Sequence, residues 1–455
     1  MTSSQNSSSS LIVETINNGC PLLSLPDDPS FIYPISSFPP LSAFEIKRNF
    51  PAIIVPSRRI GELRKKLGSY ILNRPKVKVV FALSESDHSP NGDEPRNYRK
   101  LLLEDRPDIY ESNEVAQLLS TKEFCKGEHE LVQSYSNWSV YEVLKRILPV
   151  ACEIPSAFEQ IGHLAHINLR DELLPFKYII GKVLLDKNSP RIKTVVNKVG
   201  TIDTRFRTFG MEVIAGNREE GWSQVTVKEE GCRFTMDFRL VYWNSRLGGE
   251  HRRLTNIIAQ TSKQRIGPLV VADLMAGVGP FAIPLSAKGH NIHVHANDLN
   301  PSSFKYLVEN SKANKCQNLS CYNLDARKFC HYLQERSVDF HHVIMNLPAS
   351  APEFLDAFRG FKGKSLPRIH VHCFASKDFE EARKASIERC ETALGCKLIE
   401  DQSSVTFVTV RNVSPNKNMY CVSFDLPENA RHLTSIIVLD QEEIREPDEK
   451  RTKFK

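Results

Sequence analysis

The sequence lacks the cysteine spacing of a zinc or redox site. Its 455 residues include 11 cysteines, yet none of them forms a Cys-x-x-Cys pair. The closest are Cys316 with Cys321 and Cys390 with Cys396. Such spacing argues against a zinc finger or a thioredoxin-type motif. The odd number of scattered cysteines predicts reduced thiols in an intracellular protein, and we expect no metal cofactor.

Positive charge is missing from the beginning of the chain. No Lys or Arg precedes Lys47, and residues 2–10 are mostly serine. Because mitochondrial presequences are rich in arginine and amphipathic, residues 1–44 are predicted to be a disordered tail without an import signal. Residues 429–455 are predicted to be a second tail, since residues 441–455 are almost all charged or polar.

No hydrophobic run is unbroken over the length of a membrane span. The most apolar window, residues 268–287, is interrupted by Asp273, Gly277, Gly279 and three prolines. A spanning helix needs about 20 consecutive, predominantly apolar residues. This window is instead typical of a strand, a loop and the start of a helix, and we expect no membrane partner.

The charge balance excludes a strongly acidic or basic chain. Lys and Arg number 60 against 54 for Asp and Glu, which gives a net charge of +6, and apolar residues make up 41%. This composition excludes a wholly disordered, collagen-like or coiled-coil chain. Basic residues are nevertheless concentrated between Lys47 and Lys78. This basic cluster is either a solvated face or a patch that contacts phosphates, and both interpretations stay open.

Hydrophobic periodicity divides the remaining chain into three folded regions. Residues 45–150 carry a helical pattern over residues 115–148. Residues 151–245 are predicted to be a small α+β domain, in which the alternating stretch 161–169 is a strand. Residues 246–428 alternate strands and helices, which predicts a parallel sheet covered on both faces.

Five strands of this third region are predicted from short apolar runs. Helices fill the gaps between them, and an antiparallel hairpin over residues 404–411 and 419–426 closes the sheet. The predicted strands are Val270–Leu274, Ile292–Asn297, Leu319–Asn323, His342–Asn346 and Ile369–Phe374, and the predicted helices include Ser302–Asn314 and Pro352–Phe358.

A glycine-containing loop follows the first of these strands. Gly277 and Gly279 stand where the strand meets a helix, so the backbone can approach a ligand closely. Their spacing to Ala282 also matches a loose dinucleotide fingerprint. Asp273 favours a different ligand, because a carboxylate repels a pyrophosphate and attracts a cation such as the ammonium group of an amino acid.

Two further carboxylates follow the next two predicted strands. Asp298 is placed to accept hydrogen bonds from both hydroxyls of a ribose, and Asp325 to contact an adenine edge. Together with Asp273 they suit S-adenosylmethionine, a cationic amino-acid nucleoside without phosphates. The alternative interpretation is that one or two of these residues only cap helices.

The fourth predicted strand ends in a turn that contains Asn346, Leu347 and Pro348. Open α/β sheets bind ligands at this edge. The Asn346 amide can donate to and accept from the hydrogen-bonding edge of a purine, and Pro348 stiffens the turn. Asn-x-Pro is also an ordinary turn sequence, so both interpretations stay open.

These residues belong to a wider set of motifs between about residues 160 and 427. In combination the motifs resemble the tRNA (guanine-37-N1)-methyltransferases of archaea and eukaryotes. The resemblance implies an α/β protein in which a Rossmann-like class I methyltransferase domain follows a small α+β domain and an N-terminal tRNA-binding domain. The motifs are Arg207 with Met211–Gly216, Val241–Leu247, Glu250–Arg252, Asp273–Phe281, Asn297–Pro301, Asn346–Pro348 and Val410–Pro415.

The resemblance also implies a mechanism. Guanine N1 carries a proton and must lose it before it accepts a methyl group, and Glu250 corresponds to the general base that takes this proton. Negative charge then develops on O6, and Arg207 corresponds to the arginine that stabilises it. Arg205, two residues away, competes for the second role.

Other residues are implied to bind the two substrates. Asn346 and Pro348 belong to the catalytic turn. Tyr242 and Arg246 are predicted to bind the tRNA, and Tyr242 or Trp243 to stack on a base drawn out of the anticodon loop; core packing is the alternative for Trp243. The implied donor site consists of His251, Asp273, Gly277, Gly279, Asp298, Leu299, Asp325, Ala326 and Asn346.

Three other functions fit part of the pattern. A wybutosine-pathway aminocarboxypropyl transferase uses the same cofactor on the same architecture, but that family lacks an intact Asn-Leu-Pro at the fourth strand. A nicotinamide dehydrogenase is disfavoured by Asp273. A non-catalytic RNA-binding module is disfavoured because Glu250, Asp273, Asp298 and Asn346 are all present.

We therefore expect a monomeric enzyme that acts on tRNA with S-adenosylmethionine as methyl donor. The resemblance implies a location in the cytoplasm and nucleus, and the family also works in the mitochondrial matrix. The sequence leaves open which tRNAs are modified and whether inosine 37 is accepted.

Overall fold

The chain folds into two compact units that alternate along the sequence. The computed structural model describes residues 22–28, 30–85, 87–92, 94–155, 157–200, 206, 208–287, 291–398 and 405–435. The first unit comprises residues 1–159, 165–197 and 212–217, and the second comprises residues 160–164, 198–211 and 218–455. The domain limits predicted at residues 45, 151, 246 and 429 remain predictions. The disorder predicted for residues 1–44 is wrong for the described part of that segment, because Leu23, Tyr33 and Phe44 are buried in a hydrophobic core.

An antiparallel sheet of four strands opens the first unit, in the order β2-β3-β1-β4. The helical pattern predicted over residues 115–148 is wrong between residues 125 and 133. There the side chains alternate in exposure and the backbone pairs with β1, so a strand forms. The elements are β1 Ile46–Pro56, α1 Ile60–Lys66, β2 Val80–Ala82, β3 Tyr98–Leu102, α2 Asn113–Leu119, β4 Cys125–Gln133 and α3 Val140–Ile147.

A single hydrophobic core joins distant parts of the first unit. Leu23, Trp138 and Ile147 are buried in the same cluster as Phe176 and Val195. The Trp138 indole Nε1 also donates to the Phe44 carbonyl at 2.9 Å. Segments before residue 152 and after residue 165 therefore share one core.

A second four-stranded sheet has the order β5-β6-β7-β8. The single strand predicted over residues 161–169 is instead two short strands. They are separated by a turn at Gly162, whose φ of +56° favours glycine. The elements are β5 Glu159–Ile161, β6 Leu164–Ile167, α4 Lys177–Asn188, β7 Thr194–Val199 and β8 Gly210–Gly216.

A seven-stranded sheet forms the centre of the second unit, in the order β13-β12-β11-β14-β15-β17-β16. The first five of these strands are parallel, and β17 and β16 add an antiparallel hairpin. The predicted strands, the hairpin and the α/β class with a Rossmann-like sheet are confirmed. The strands are β9 Gln224–Glu229 and β10 Cys232–Asp237, which pair separately, then β11 Leu269–Asp273, β12 Ile292–Asn297, β13 Leu319–Tyr322, β14 His342–Met345, β15 Arg368–Ser376, β16 Thr406–Ser414 and β17 Lys417–Asp425.

Helices connect the strands of this sheet. The helix predicted at Pro352–Phe358 is a 3-10 helix over Ala351–Phe358, in which the Glu353 N–H donates to Ser350 O at 3.2 Å. No helix of the described residues is long and apolar enough to span a bilayer. The α-helices are α5 Gly248–Lys263, α6 Ala282–Ala287, α7 Pro301–Ala313, α8 Ala326–Glu335 and α9 Phe379–Leu394.

The strand order reverses at β11, which has β12 on one side and β14 on the other. The crossovers leave opposite sides of this point, so a crevice opens at the carboxyl ends of the strands. Ligands of open α/β sheets bind at such a switch point. The fold therefore brings the glycine loop after β11 and the turn after β14 to one crevice.

Candidate active site

A cavity of about 260 Å³ opens at this switch point. Its wall combines backbone of the glycine loop with carboxylates, an amide and several aromatic side chains. Most of the predicted site residues meet here. Gly277, Asp298, Leu299, Asp325, Ala326, Asn346, Pro348, His251 and Tyr242 all line the cavity.

Glycine is needed at the two loop positions for different structural reasons. Gly277 has φ +56°, and an added Cβ would find open space; its backbone lines the cavity. Gly279 has φ +98°, and a Cβ there would lie 2.7 Å from the Ile283 side chain and 2.8 Å from that of Leu307. Gly277 therefore gives access to a ligand, whereas Gly279 lets the loop pack closely on the helices behind it.

Asp298 ties the loop to the second strand of the sheet. Its Oδ2 accepts the Gly277 N–H at 2.8 Å, and its Oδ1 accepts the Asn300 N–H at 2.9 Å. Burial raises the pKa of this carboxyl. The Ser303 side chain also donates to this carboxylate. Three of its roughly four lone-pair sites are then used, so Asp298 can still accept a hydrogen bond from a ligand in the cavity.

Asp325 satisfies both interpretations offered by the sequence. It is the N-cap of α8, where its Oδ1 accepts the Arg327 N–H at 2.9 Å. It also lines the cavity beside Ala326. A helix cap and a ligand contact are thus compatible in this residue, because the cap uses one of its two oxygens.

Asp273 lies at the end of β11 and is completely buried behind the cavity wall. Among the described residues neither of its carboxylate oxygens has a hydrogen-bond partner of good geometry, although the Met275 backbone N–H approaches closely enough to act against the rise of its pKa. Burial raises its pKa to about 8. A buried carboxylate without a partner is costly, and the ammonium group of an amino-acid ligand would relieve this cost.

The turn after β14 is held from two sides. The Pro348 carbonyl accepts the Phe374 N–H at 3.1 Å, and the Arg389 guanidinium donates to the Ala349 carbonyl at 2.6 Å. Asn346 lines the cavity, and its buried Oδ1 has no partner among the described residues. A rigid turn thus places beside the cavity an amide oxygen that has no partner among the described residues.

Aromatic side chains form another part of the cavity wall. The His251 ring lies edge-on to Phe281 with centroids 4.8 Å apart, and its Nδ1 is 2.5 Å from Glu229 Oε1. Trp243 is buried against Phe234, which confirms core packing, yet it also lines the cavity. Tyr242 lines the cavity with 37% of its surface exposed, as a stacking platform requires.

Several predicted residues do not line the cavity. Arg246 is exposed, and its N–H donates to Asn244 Oδ1 at 3.0 Å. Arg207 and the competing Arg205 lie outside the described residues, whereas Phe206 between them lines the cavity.

Glu250 is buried one layer behind the wall. Its Oε1 accepts from His372 Nε2 at 2.8 Å, and Arg253 donates to both of its oxygens at 2.7 Å. Although burial acts to raise it, these hydrogen bonds lower the pKa of Glu250 to about 2. In this arrangement the carboxylate is ionised and is engaged by two cations instead of facing the cavity.

Glu250, His372 and Cys421 also bring three metal-ligand atoms within 4.8 Å of one another. The Arg253 guanidinium occupies both oxygens of this carboxylate and would repel a metal cation. We therefore explain the cluster as an ion network, and the expectation of no metal cofactor remains a prediction.

The β16–β17 hairpin forms part of the cavity wall, although the sequence analysis assigned no site residue to it. Arg411, Val413 and Met419 line the cavity together with Phe374 of β15. The motif Val410–Pro415 was the only signal for this wall. Its strand pairing, which no local pattern reveals, brings Arg411 to the site.

Known proteins resemble this chain over almost its whole length. A family model described as the TRM5/TYW2 methyltransferase domain matches residues 225–399, and one described as the TYW2 N-terminal domain matches residues 140–219. The tRNA (guanine(37)-N(1))-methyltransferase 1 of Phaeodactylum tricornutum is 50% identical over 435 residues, which cover 94% of this chain and 97% of that one. The tRNA (guanine(37)-N(1))-methyltransferase of Schizosaccharomyces pombe is 38% identical, with coverages of 84% and 92%.

A solved structure agrees with these relatives. The crystal structure of wild-type Trm5b from Pyrococcus abyssi superposes with a TM-score of 0.57 at 26% identity, covering 83% of this chain and 99% of that one. The family predicted from the motifs is thereby confirmed. The cavity at the switch point, the glycine loop and the extended similarity lead to one conclusion: the chain belongs to the tRNA (guanine(37)-N(1))-methyltransferase family.

Proposed function

We propose that this protein transfers a methyl group from S-adenosylmethionine to N1 of guanosine 37 in the tRNA anticodon loop. The observation that carries the proposal is the 50% identity to a relative of that name across 94% of the chain. The cavity at the switch point supplies a site of matching chemistry, since its described lining combines acidic, amide and aromatic groups and contains Arg411 as its only Lys or Arg.

The methyl donor fits the charges of the site. Asp298 would accept from the ribose hydroxyls, Asp325 from the adenine amino group, and the unpartnered Asp273 would attract the ammonium group. Gly277 keeps the backbone open at the cavity. When bound, S-adenosylmethionine supplies an electrophilic methyl group on a positively charged sulfur.

The guanine must be deprotonated as it reacts. We assign this task to Glu250: the N1–H bond breaks, its electron pair remains on N1 for the new N–CH₃ bond, and the proton passes to the carboxylate. The Glu250 carboxylate is ionised and so can accept a proton, and its basicity should rise as it leaves the hydrogen bonds from Arg253 and His372 that lower its pKa. To reach N1 its side chain must turn toward the cavity when the base enters, because it now lies behind the wall.

Other groups would bind the reacting base. The Asn346 amide oxygen, which has no partner among the described residues, would accept from the guanine edge, with Pro348 fixing the turn. We assign stabilisation of the charge on O6 to Arg207. Tyr242 would stack on the extruded base and Arg246 would contact the tRNA nearby.

The basic cluster would contact tRNA phosphates through part of its members. Arg48, Arg58, Arg59 and Arg74 already form ion pairs with carboxylates. The remaining cations are exposed and are better placed to neutralise phosphates. They are Lys47, Arg64, Lys65, Lys66, Lys76 and Lys78.

Mass spectrometry of nuclease-digested tRNA tests the proposal. Unmodified tRNA with guanosine 37 is incubated with the protein and S-adenosylmethionine. We expect 1-methylguanosine at position 37 and S-adenosylhomocysteine as the by-product. Methylthioadenosine as the by-product would identify an aminocarboxypropyl transferase instead, and tRNA that binds but stays unchanged would indicate a non-catalytic binding protein.

A further inference from the structure

A buried polar cluster lies directly behind the cavity, between α5 and the sheet. Glu250 and Arg253 come from α5. His372 comes from β15 and stands opposite Cys421 of β17 in the strand register. The side chains of Glu250 and His372 are 3% and 0% exposed. Water cannot stabilise the carboxylate here, so its charge depends on its protein partners.

Two cations hold the Glu250 carboxylate in one orientation. Arg253 donates through Nε to Oε2 and through Nη2 to Oε1, both at 2.7 Å. His372 donates through Nε2 to Oε1 at 2.8 Å. Although burial acts to lower it, Cys421 and Glu250 raise the pKa of His372 to about 10. Both cations are therefore charged at neutral pH.

The cluster touches the cavity wall at two places. His251, the residue after Glu250, lines the cavity. The His372 ring lies 5.9 Å from the ring of Phe281, which also lines it. A change in the ion network can therefore alter the cavity wall, since only one layer of side chains separates the network from the cavity.

We infer that His372 is a positioning residue for methyl transfer, which together with Arg253 keeps Glu250 ionised and oriented behind the cavity. This inference rests on the proposed role of Glu250 as the base. A carboxylate that lost one of these cations would take up a proton from solvent at higher pH, and a protonated carboxyl cannot accept the N1 proton.

The other titratable groups around the cluster do not reverse the expected rise of the Glu250 pKa when one cation is lost. Burial keeps the pKa of His370 well below its usual value, so His370 is neutral at working pH. Asp273 approaches from β11, and burial raises its pKa to about 8, so this carboxyl is mostly protonated and neutral over the pH range of the test. The groups that face His372 and Glu250 are Arg253 of α5, Cys421 of β17, His370 of β15 and Asp273 of β11.

The test is the pH profile of single-turnover methyl transfer by the full-length protein, between about pH 4.5 and 8. His372→Gln keeps a hydrogen-bond donor but removes the charge. Loss of one opposite charge raises the pKa of a carboxyl by about 1–3 units. Starting from about 2, the pKa of Glu250 in the variant should lie at about 3–5. We therefore expect the rate of the variant relative to wild type to be level above about pH 6 and to fall at lower pH, by up to about fourfold at pH 4.5.

His370→Gln is the matched control. His370 lies two residues before His372 on the same face of β15 and is equally buried, but it is neutral and does not contact Glu250. Its rate relative to wild type should not depend on pH. A flat ratio for His372→Gln, or the same fall for His370→Gln, would overturn the inference.

Arg253 provides a second test that does not depend on a fully buried position, since its side chain is 29% exposed. In Arg253→Gln, as in His372→Gln, the fall of the methyl-transfer rate at low pH should begin at a higher pH than in the wild type. Arg253→Lys should retain the wild-type pH profile. If neither His372→Gln nor Arg253→Gln changes the pH at which the rate begins to fall, the inference is wrong. If Glu250→Gln itself methylates at the wild-type rate, the proposed base has failed, and this outcome is distinct from a failure of the positioning role.

Discussion

The Gly277 N–H donates to Asp298 Oδ2 at 2.8 Å, so the loop after β11 and the carboxylate after β12 form one hydrogen-bonded unit. This unit fixes the backbone of the cavity wall and the position of the carboxylate at the same time. Consequences for ligand binding and for stability follow from it.

Replacement of Asp298 should weaken binding of the methyl donor. Asp298→Ala removes a charged acceptor for the ribose hydroxyls, which is worth roughly 1.5–3 kcal/mol. Isothermal titration calorimetry with S-adenosylmethionine measures the loss. Asp425→Ala is the control, because Asp425 pairs with Arg368 on the surface and does not line the cavity. Unchanged affinity in Asp298→Ala would refute the assignment.

Gly279→Ala should destabilise the fold more than Gly221→Ala does. Both residues have positive φ, which costs a side chain about 1–3 kcal/mol. At Gly279 the new Cβ would also overlap Ile283 and Leu307, whereas at Gly221 it meets nothing within 4 Å. Urea unfolding of the two variants measures the difference. Equal losses would mean that the loop tolerates the overlap.

Asp273→Asn should stabilise the protein near neutral pH when no donor is bound. Burial raises the pKa of Asp273 to about 8, far above its unfolded value near 3.8. The contribution of Asp273 to the free energy of unfolding is therefore greatest below pH 4, and it is lost as the pH rises toward 8, by about 1.4 kcal/mol per pH unit. The variant should lose that slope and, at the same time, bind S-adenosylmethionine more weakly.

Asp339→Asn serves as the control of opposite sign. Burial acts to raise the pKa of Asp339, but hydrogen bonds from Ser365 lower it overall. Its contribution to stability is present above the unfolded pKa and is lost as the pH falls through the folded value. If Asp273→Asn showed the wild-type slope between pH 4 and 8, ionisation of Asp273 would not be coupled to folding.

Glu250→Gln should slow methyl transfer by about 10²–10⁴-fold, as expected for loss of a general base. Affinity for donor and tRNA should change little. Higher pH should partly restore the rate, because the guanine then ionises without help. Single-turnover rates against pH measure this effect, and a wild-type rate near neutral pH would exclude Glu250 as the base.

Arg207→Ala provides the comparison for that experiment. Its chemical step should also be slow, since the charge on O6 would lose its partner. Higher pH should restore the rate less than in Glu250→Gln. The variant still has its general base, and what it lacks is the cation that stabilises the charge on O6.

Replacement of Arg64, Lys65 and Lys66 by glutamine should weaken tRNA binding and flatten its salt dependence. These exposed residues end α1 and form no ion pair among the described residues. Each cation removed from a phosphate should reduce the slope of log K against log salt by about 0.7–0.9. Arg59→Gln is the control, since Glu62 and Glu123 already pair with Arg59. An unchanged slope in the triple variant would indicate a solvated face.

Local sequence patterns predicted the parts of the fold that depend on short-range chemistry. The strands β11 to β14 are short and mostly apolar, and a polar residue that lines the cavity follows three of them. These residues are Asp298 after β12, Asp325 after β13 and Asn346 after β14. The pattern failed at β4, where alternation over Cys125–Gln133 was mistaken for part of a helix. Only pairing with β1 distinguishes the two periods there.

The state of Glu250 was beyond the reach of sequence reasoning for a related reason. Its partner His372 is 122 positions away, and the two meet only because β15 lies under α5. Cys421 joins them through the antiparallel register of β17. A motif can identify a carboxylate, but the cations that set its charge are assembled by topology.

The shared core of the first unit limits how the chain can be divided. A fragment that began at residue 151 would leave Phe176, Ile179 and Val195 without the side chains of Leu23, Phe44, Trp138 and Ile147 that cover them. Such a fragment would expose an aromatic and aliphatic surface and is expected to aggregate. Chimeras between members of this family therefore need junctions that carry both halves of this core from the same parent.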